Sequence, residues 1–107
     1  MFIVIYRWRL KEGLEATFRE GWREMTESIY RTRGSVGSRL HKAEDGTWMA
    51  YAQWPDEETW LRAREAGTAN EEASRKMREG SERLLSEERL QVTDDMLRAE
   101  PYIEQDS

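Results

Sequence analysis

The stretch from Arg33 to Trp60, RGSVGSRLHKAEDGTWMAYAQWPDEETW, constrains the fold more than any other part of the chain. Strand-like segments flank Asp45-Gly46, a dipeptide that favours a tight turn between antiparallel strands. Pro55-Asp56 then marks the end of the second strand and the start of a helix, because Asp is a preferred N-cap residue. We therefore expect a β-hairpin followed directly by a helix.

The position of the turn predicts how the two hairpin strands pair. With Asp45-Gly46 as the central pair, His41 lies opposite Ala50 and Arg39 opposite Ala52. Side chains alternate between the two faces of a strand. One face then carries Arg39, His41, Ala43, Trp48, Ala50, Ala52 and Trp54, and the other carries Val36, Leu40, Met49 and Tyr51. Only one of these faces can line a pocket within the subunit.

The segments on either side of the hairpin predict two more strands and two helical regions. Residues 2–10 are apolar at both odd and even positions, which is typical of a strand covered on both faces. A helix opens after Gly13, with an apolar stripe at Leu14, Phe18, Trp22, Met25 and Ile29. A second helix follows a break at residues 66–68. Its apolar stripe is thin, so we expect this helix at the periphery; the stripe consists of Ala69, Ala73, Met77 and Leu84. Residues 88–94 predict a short last strand.

The order strand, helix, strand, strand, helix, strand predicts an α+β, ferredoxin-like βαββαβ fold. Right-handed crossovers place the first and third strands in the middle of a four-stranded antiparallel sheet. Helices cover one face of such a sheet, and the other face stays bare. We expect the sheet of a second copy to cover that face, giving a dimeric α+β barrel.

Composition limits the classes of partner. The 107 residues indicate one domain, over residues 1–97, with a tail at 98–107. A net charge of −5 without a basic stripe argues against nucleic acid. The absence of Cys removes thiolate and Cys-based metal chemistry. The apolar run at residues 1–6 is too short to span a membrane, and the cytosol is the default compartment. The five Trp, four Tyr and two Phe exceed what a small monomer buries, which also favours a homodimer.

Four segments together carry a family resemblance: the opening strand followed by KEG at 11–13, the helix ending in RGSVGSRLH, the strand reaching AQWPDEETW, and RLQVTDDML at 89–97. With these segments the chain resembles the antibiotic biosynthesis monooxygenase superfamily of dimeric α+β-barrel proteins. The resemblance implies a homodimer joined through its sheet faces, with a small-molecule pocket between helices and sheet in each subunit. Some members of this superfamily oxidise polyphenolic substrates with O2 and use neither metal nor flavin. We therefore expect a monooxygenase without cofactor or metal, acting on a small aromatic or polyketide-like molecule.

Seven residues are candidates for the site of such a reaction. His41 is the one side chain that titrates near neutrality without help, although an edge-strand histidine at the surface is the alternative. Arg39 could hold a phenolate or could pair with one of the many acids. Tyr6 and Tyr51 could donate hydrogen bonds from their hydroxyl groups. Aromatic walls for a substrate, or alternatively core packing, are expected from Trp22, Trp54 and Trp60.

Two other functions remain open at this point. A non-catalytic small-molecule-binding or stress-response dimer fits the lack of a strong acid–base constellation. An isomerase or lyase of the same fold differs from the oxygenase in needing no oxygen. Haem degradation fits poorly, because the family's haem ligand is a histidine in the second helical region, and no histidine follows His41.

Overall fold

The computed structural model describes residues 1–104, which form one four-stranded sheet and three helices. The elements are β1 (Phe2–Leu10), α1 (Glu15–Thr32), β2 (Ser38–Lys42), β3 (Trp48–Trp54), α2 (Glu57–Glu65), α3 (Glu71–Gly80) and β4 (Ser81–Gln91). Residues 92–104 add no further helix or strand. The end of the predicted tail, residues 105–107, lies outside the described residues.

The sheet has the predicted ferredoxin-like topology. Its strand order is β2-β3-β1-β4, and all neighbouring strands are antiparallel. The first and third strands are therefore central, as expected from their apolar sequences. Strand β1 pairs with β3 from Phe2↔Trp54 to Trp8↔Trp48 and carries β4 on its other edge.

The helices pack on one face of the sheet, and the core lies between these two layers. On β1, alternate side chains point toward the helices, so Phe2 and Val4 pack with Trp54 and Trp60 in one buried cluster. A second cluster joins Leu10, Phe18 and Trp48. The opposite face, here called the open face, carries the remaining side chains of the strands; they include Ile3, Ile5, Arg39, His41, Met49, Tyr51, Glu88 and Leu90.

The hairpin register predicted from the sequence is wrong by one residue. His41 pairs with Met49, and Arg39 pairs with Tyr51. The turn is longer than expected: Gly46 N–H donates to Ala43 C=O, Ala43 N–H donates to Thr47 C=O, and Gly46 has a φ of +87°. The loop therefore has three residues and a left-handed glycine, one of the common hairpin connections.

This shift of one residue changes which side chains share a face. A slip by one moves every side chain of one strand to the opposite face relative to its partner strand. Arg39 and His41 thus lie on the face of Met49 and Tyr51, rather than on the face of Ala50, Ala52 and Trp54. The predicted division of the hairpin into faces is wrong for this reason.

Strand β4 is longer than the predicted strand at 88–94. It begins at Ser81, directly after α3, and pairs along β1 with two register shifts. Because it is an edge strand with mostly exposed side chains, backbone hydrogen bonds to β1 hold it without a continuous apolar pattern. Leu84, which the sequence assigned to the second helix, belongs to this strand.

Helix α3 is not peripheral, in contrast to the expectation. Ala73 is fully buried against α1, and a Cβ placed on Gly21 would come within 2.8 Å of the Ala73 carbonyl oxygen. Lys76 extends across the same contact and donates hydrogen bonds to Glu24 and Glu20, at 2.7 and 3.1 Å. These hydrogen bonds raise the pKa of Lys76, the bond to Glu24 having the larger effect. Small residues at the contact let the two helix backbones approach closely.

Among residues 1–104, no helix is both long enough and apolar enough to cross a membrane.

The substitution Gly21→Ala tests the close approach of α1 and α3. Alanine normally stabilises a helix interior relative to glycine, by about 1 kcal/mol. Here the added methyl group would overlap Ala73 O and Lys76 Cβ, each at 2.8 Å. We expect a net loss of about 1–3 kcal/mol in the free energy of unfolding, measured by urea denaturation.

The control for this measurement is Ala16→Gly, at an exposed position of the same helix. It should cost at most about 1 kcal/mol through helix propensity alone, because Ala16 lies in the first turn of α1. If Gly21→Ala raised stability by a similar amount, the close contact between the helices would be contradicted.

Candidate functional site

A cleft runs between the helices and the covered face of the sheet and divides into two adjoining chambers. The aromatic chamber, about 260 Å³, lies between α1, β1 and β3; its lining is Tyr6, Trp8, Trp22, Met25, Thr26, Ile29, Ser35, Ser38, Ala50, Ala52, Trp54 and Met77. The charged chamber, about 380 Å³, extends beneath α2; its lining is Tyr6, Met25, Ile29, Arg33, Trp54, Trp60, Ala63, Arg64, Gly67, Thr68, Ala69 and Glu87. The chambers share Tyr6, Met25, Ile29 and Trp54, which therefore form the boundary between them.

The aromatic chamber is open because small side chains occupy the middle of β3. Ala50 and Ala52 point to the covered face between the large rings of Trp48 and Trp54. Above them, α1 contributes Trp22 with Met25 and Ile29, spaced three and four residues apart on one side of the helix. The large apolar side chains of α1 thus face the small alanine side chains of β3 across the chamber. This arrangement suits a flat apolar ligand.

Tyr6 is the polar group at the boundary between the chambers. Burial raises the pKa of its hydroxyl above the ordinary value of 10.0, and the indole N–H of Trp60 acts in the opposite direction with a smaller effect. Tyr6 therefore remains protonated at neutral pH. It can donate a hydrogen bond to an oxyanion or carbonyl of a ligand in either chamber.

An ion-pair cluster closes one side of the charged chamber. Glu87, which pairs with Tyr6 across β1 and β4, accepts a hydrogen bond from Arg64 Nη1 at 2.9 Å. Arg89 lies 3.9 Å from the other oxygen of Glu87. The guanidinium carbons of Arg64 and Arg89 lie 5.2 and 4.6 Å from the centroid of the Trp60 ring. These contacts pack both guanidinium groups against the Trp60 ring.

Arg33 connects α1 to the loop that follows α2. Its Nη1 donates to the carbonyl oxygens of Ala63 and Gly67, both at 3.2 Å. Because it also lines the charged chamber, Arg33 brings a further positive charge to the cleft.

The structure brings four of the seven predicted site residues together. Tyr6, Trp22 and Trp54 line the aromatic chamber, and Trp60 lines the charged chamber beside Tyr6.

The other three predicted residues lie on the open face of the sheet. Arg39 and Tyr51 are register partners there, and the Nδ1 atom of His41 lies 3.2 Å from the Met49 carbonyl oxygen. None of the three lines either chamber of its own subunit. The hairpin register causes this separation, and the catalytic roles predicted for Arg39 and His41 stay predictions.

Sequence reasoning missed several residues that the fold adds to the cleft. Arg33 directly follows α1, where a basic residue is already explained by the helix dipole, and Glu87 lies in the part of β4 that the sequence did not assign to a strand. Ser38 and Arg64 gave no local signal. The alternation of side chains along β2 would have placed Ser38 on the covered face if the turn length had been known. Ser38 pairs with Ala52, which lines the aromatic chamber.

The described residues contain no group of three or more His, Asp or Glu side chains close enough to hold a metal ion.

Comparison with protein families matches residues 1–79 to the model of the antibiotic biosynthesis monooxygenase family. The chain belongs to this family. A search of curated protein sequences finds no significant match. The family assignment therefore rests on the family model together with the fold.

Solved structures support the same fold. The chain resembles SnoaB, described as a cofactor-independent oxygenase from Streptomyces nogalater, with a TM-score of 0.72 and 16% identity over 89% of this chain and 95% of that chain. It also resembles Rv0793 from Mycobacterium tuberculosis, with a TM-score of 0.70 and 14% identity over 90% and 98% of the two chains. A conserved protein from Methanosarcina mazei gives 0.70 and 11% over 86% and 92%.

The raised pKa of Tyr6 predicts a specific dependence of stability on pH. In the unfolded chain a tyrosine ionises from about pH 10, whereas Tyr6 in the folded chain stays protonated. The stability that depends on neutral Tyr6 is thus complete below pH 10 and is lost as the pH rises beyond it. We expect the wild type to lose more stability than Tyr6→Phe between pH 8.5 and about 11, as measured by urea midpoints.

The difference between the two proteins cancels the other three tyrosines, which both retain. Equal losses in the two proteins would show that Tyr6 ionises normally in the folded state.

Proposed function

We propose that the protein is a cofactor-independent monooxygenase that uses O2 to oxidise a small electron-rich aromatic or polyketide-like molecule. The observation that carries this proposal is the aromatic chamber with a partly buried, protonated Tyr6 at its boundary, in a chain of the antibiotic biosynthesis monooxygenase family. The fold shared with SnoaB adds support at the level of architecture.

The chemistry needs little from the protein beyond a suitable environment. An anthrone-type substrate loses a proton to give an electron-rich anion, and this anion reduces O2 itself. The ring CH2 becomes a carbonyl group, and the second oxygen atom leaves as water, so that anthrone and O2 give anthraquinone and H2O. The protein must hold the ring, stabilise the anion and exclude bulk water from the oxygenated intermediate.

The residues of the cleft fit these tasks. Tyr6 donates a hydrogen bond to the oxyanion, because its raised pKa keeps the proton on the hydroxyl group. Trp22, Trp54 and Trp60 provide flat walls for the ring. Glu87 is the one carboxylate among the described lining residues of the two chambers, so we assign it as the acceptor of the substrate proton.

We further propose that the protein is a homodimer joined through the open faces of its sheets. Ile5, Met49 and Tyr51 are only partly buried on this face, and residues 92–97 lie beside Ile3 and Tyr51 there. A second sheet packed there would bury these side chains and remove apolar surface from water. Arg39 and His41 would then lie at the edge of the interface.

A second candidate function is a non-catalytic binding module. The observation that favours it is the pairing of Glu87 with Arg64 and Arg89, which leaves the cleft without an unpaired carboxylate among its described lining residues. Such a module would bind an aromatic molecule in the same cleft without turnover. It predicts saturable quenching of tryptophan fluorescence by the ligand and no product.

Oxygen uptake by the metal-free protein tests the catalytic proposal, with anthrone and dithranol as substrates. We expect uptake above the spontaneous rate, with about one mole of O2 per mole of quinone formed. The variant Tyr6→Phe should lower kcat by about 100-fold, because loss of one oxyanion donor typically costs that much. Rates equal to the uncatalysed background with both substrates would contradict the proposal.

His41→Gln is the matched control for Tyr6→Phe. Because His41 lies on the open face, we expect its replacement to leave kcat and the pH profile unchanged. A loss of activity comparable to that of Tyr6→Phe would instead support the role that the sequence predicted for His41.

Analytical ultracentrifugation tests the dimer. The wild type should sediment as a dimer at micromolar concentration. Tyr51→Lys should shift it toward monomer, because a charge would be buried at the interface. Tyr30→Lys, at an exposed position of α1, should not change the sedimentation coefficient. A monomeric wild type would contradict the proposed interface.

A further inference from the structure

Ser38 carries a buried hydroxyl group with no hydrogen-bond partner among the described residues. It lies on β2 and lines the aromatic chamber. In contrast, the neighbouring Ser35 hydroxyl donates to the Gln53 carbonyl oxygen at 3.3 Å and accepts from the Gly37 N–H at 2.9 Å. Of these two chamber serines, only Ser38 therefore has its hydroxyl proton free to donate to a ligand.

An unpaired buried hydroxyl is costly, since the group has lost its contacts with water and gained nothing in return. Ser38 borders the aromatic chamber, although its Oγ has less than 1 Å² of exposed surface. Its register partner on the covered face is Ala52, which has a single methyl group, and the opposite wall contains the rings of Trp22 and Trp54. A ligand oxygen would therefore reach the hydroxyl after a rotation of the Ser38 side chain toward the chamber, without displacing a large side chain.

We propose that Ser38 Oγ is the hydrogen-bond anchor for a hydroxyl or carbonyl oxygen of a planar aromatic ligand in the aromatic chamber. A serine hydroxyl can both donate and accept, so it suits either oxygen. At about 260 Å³, the chamber is at the small end of ligand pockets, which favours a ligand of two or three fused rings. This inference rests on the proposed function, because it assigns the residue that orients the ring beside Tyr6.

Ser38 is thus a specificity-determining residue. Ser38 at one wall and Tyr6 at the boundary to the charged chamber place two hydrogen-bond donors along the aromatic chamber. A ring with an oxygen at each of two positions would use both groups, whereas an unsubstituted ring would leave Ser38 unpaired. The protein should therefore select oxygenated rings over hydrocarbon rings of the same shape.

Equilibrium dialysis with 1-naphthol and 1-methylnaphthalene tests the anchor, because the two probes have nearly the same shape and differ in the hydroxyl group. We expect the wild type to bind 1-naphthol about fivefold to tenfold more tightly, the range of one net hydrogen bond. Ser38→Ala should remove this preference and leave the affinity for 1-methylnaphthalene unchanged.

Ser86→Ala is the matched control. Its hydroxyl is also buried and has no partner among the described residues, but Ser86 pairs with Arg7 and lines neither chamber. We expect it to keep the full preference for 1-naphthol. Tyr6→Phe separates the two polar groups of the cleft: a preference that disappears in Tyr6→Phe and persists in Ser38→Ala would overturn the inference.

Stability distinguishes a ligand anchor from a structural role. Because Ser38 makes no hydrogen bond within the described chain, Ser38→Ala should have a urea midpoint equal to or above that of the wild type. A clear loss of stability would show that the hydroxyl has a structural partner and would overturn the inference. Failure of the wild type to bind either probe would also overturn it.

Failure of the inference and failure of the catalytic proposal give different results. If the preference for 1-naphthol depends on Ser38 but the protein takes up no oxygen, Ser38 remains the anchor and the protein is a non-catalytic binding module. Oxygen uptake that Ser38→Ala does not alter in rate or in substrate preference would keep the oxygenase and overturn the anchor.

Discussion

The pairing of β1 with β3 is the constraint on which the rest of the structure depends. It places two central strands side by side with Phe2 next to Trp54 and Tyr6 next to Ala50. Large side chains thus meet at the two ends of the pairing, whereas Val4 and Tyr6 lie beside the small Ala52 and Ala50 in the middle, on the covered face. A core forms near each end of the sheet, and the space between them becomes the aromatic chamber.

The approach of α1 to α3 completes the cleft. Gly21 and Ala73 let the helix backbones come close, and Lys76 fastens them through Glu20 and Glu24. Met77 of α3 then reaches the aromatic chamber from the side. Gly21 and Ala73, the small residues at this contact, therefore set the distance between α1 and α3.

The two chambers of the cleft differ in the polar groups that they contain. In the aromatic chamber, burial holds Tyr6 in the protonated form and leaves the Ser38 hydroxyl without a partner. In the charged chamber, Arg64 and Arg89 share the single carboxylate of Glu87 around the Trp60 ring, so that the cluster keeps one positive charge. A ligand would thus meet charged groups in one chamber and neutral hydroxyl groups in the other, an arrangement that orients a polar ring in an apolar site.

The sequence by itself determined the fold class, the two central strands and the aromatic residues of the cleft. Periodicity and turn residues report local structure, and apolar side chains such as Trp22 and Trp54 must be buried in any fold that the pattern allows. The tertiary structure alone decided which face of the hairpin points toward the helices. A loop of three residues instead of two moved Arg39 and His41 to the open face and brought Ser38 to the chamber. Both loops fit the same Asp45-Gly46 signal, because Gly46 takes a positive φ in each of them. The difference depends on Asp45, which has no positive φ here, and on the hydrogen bonds that close the turn.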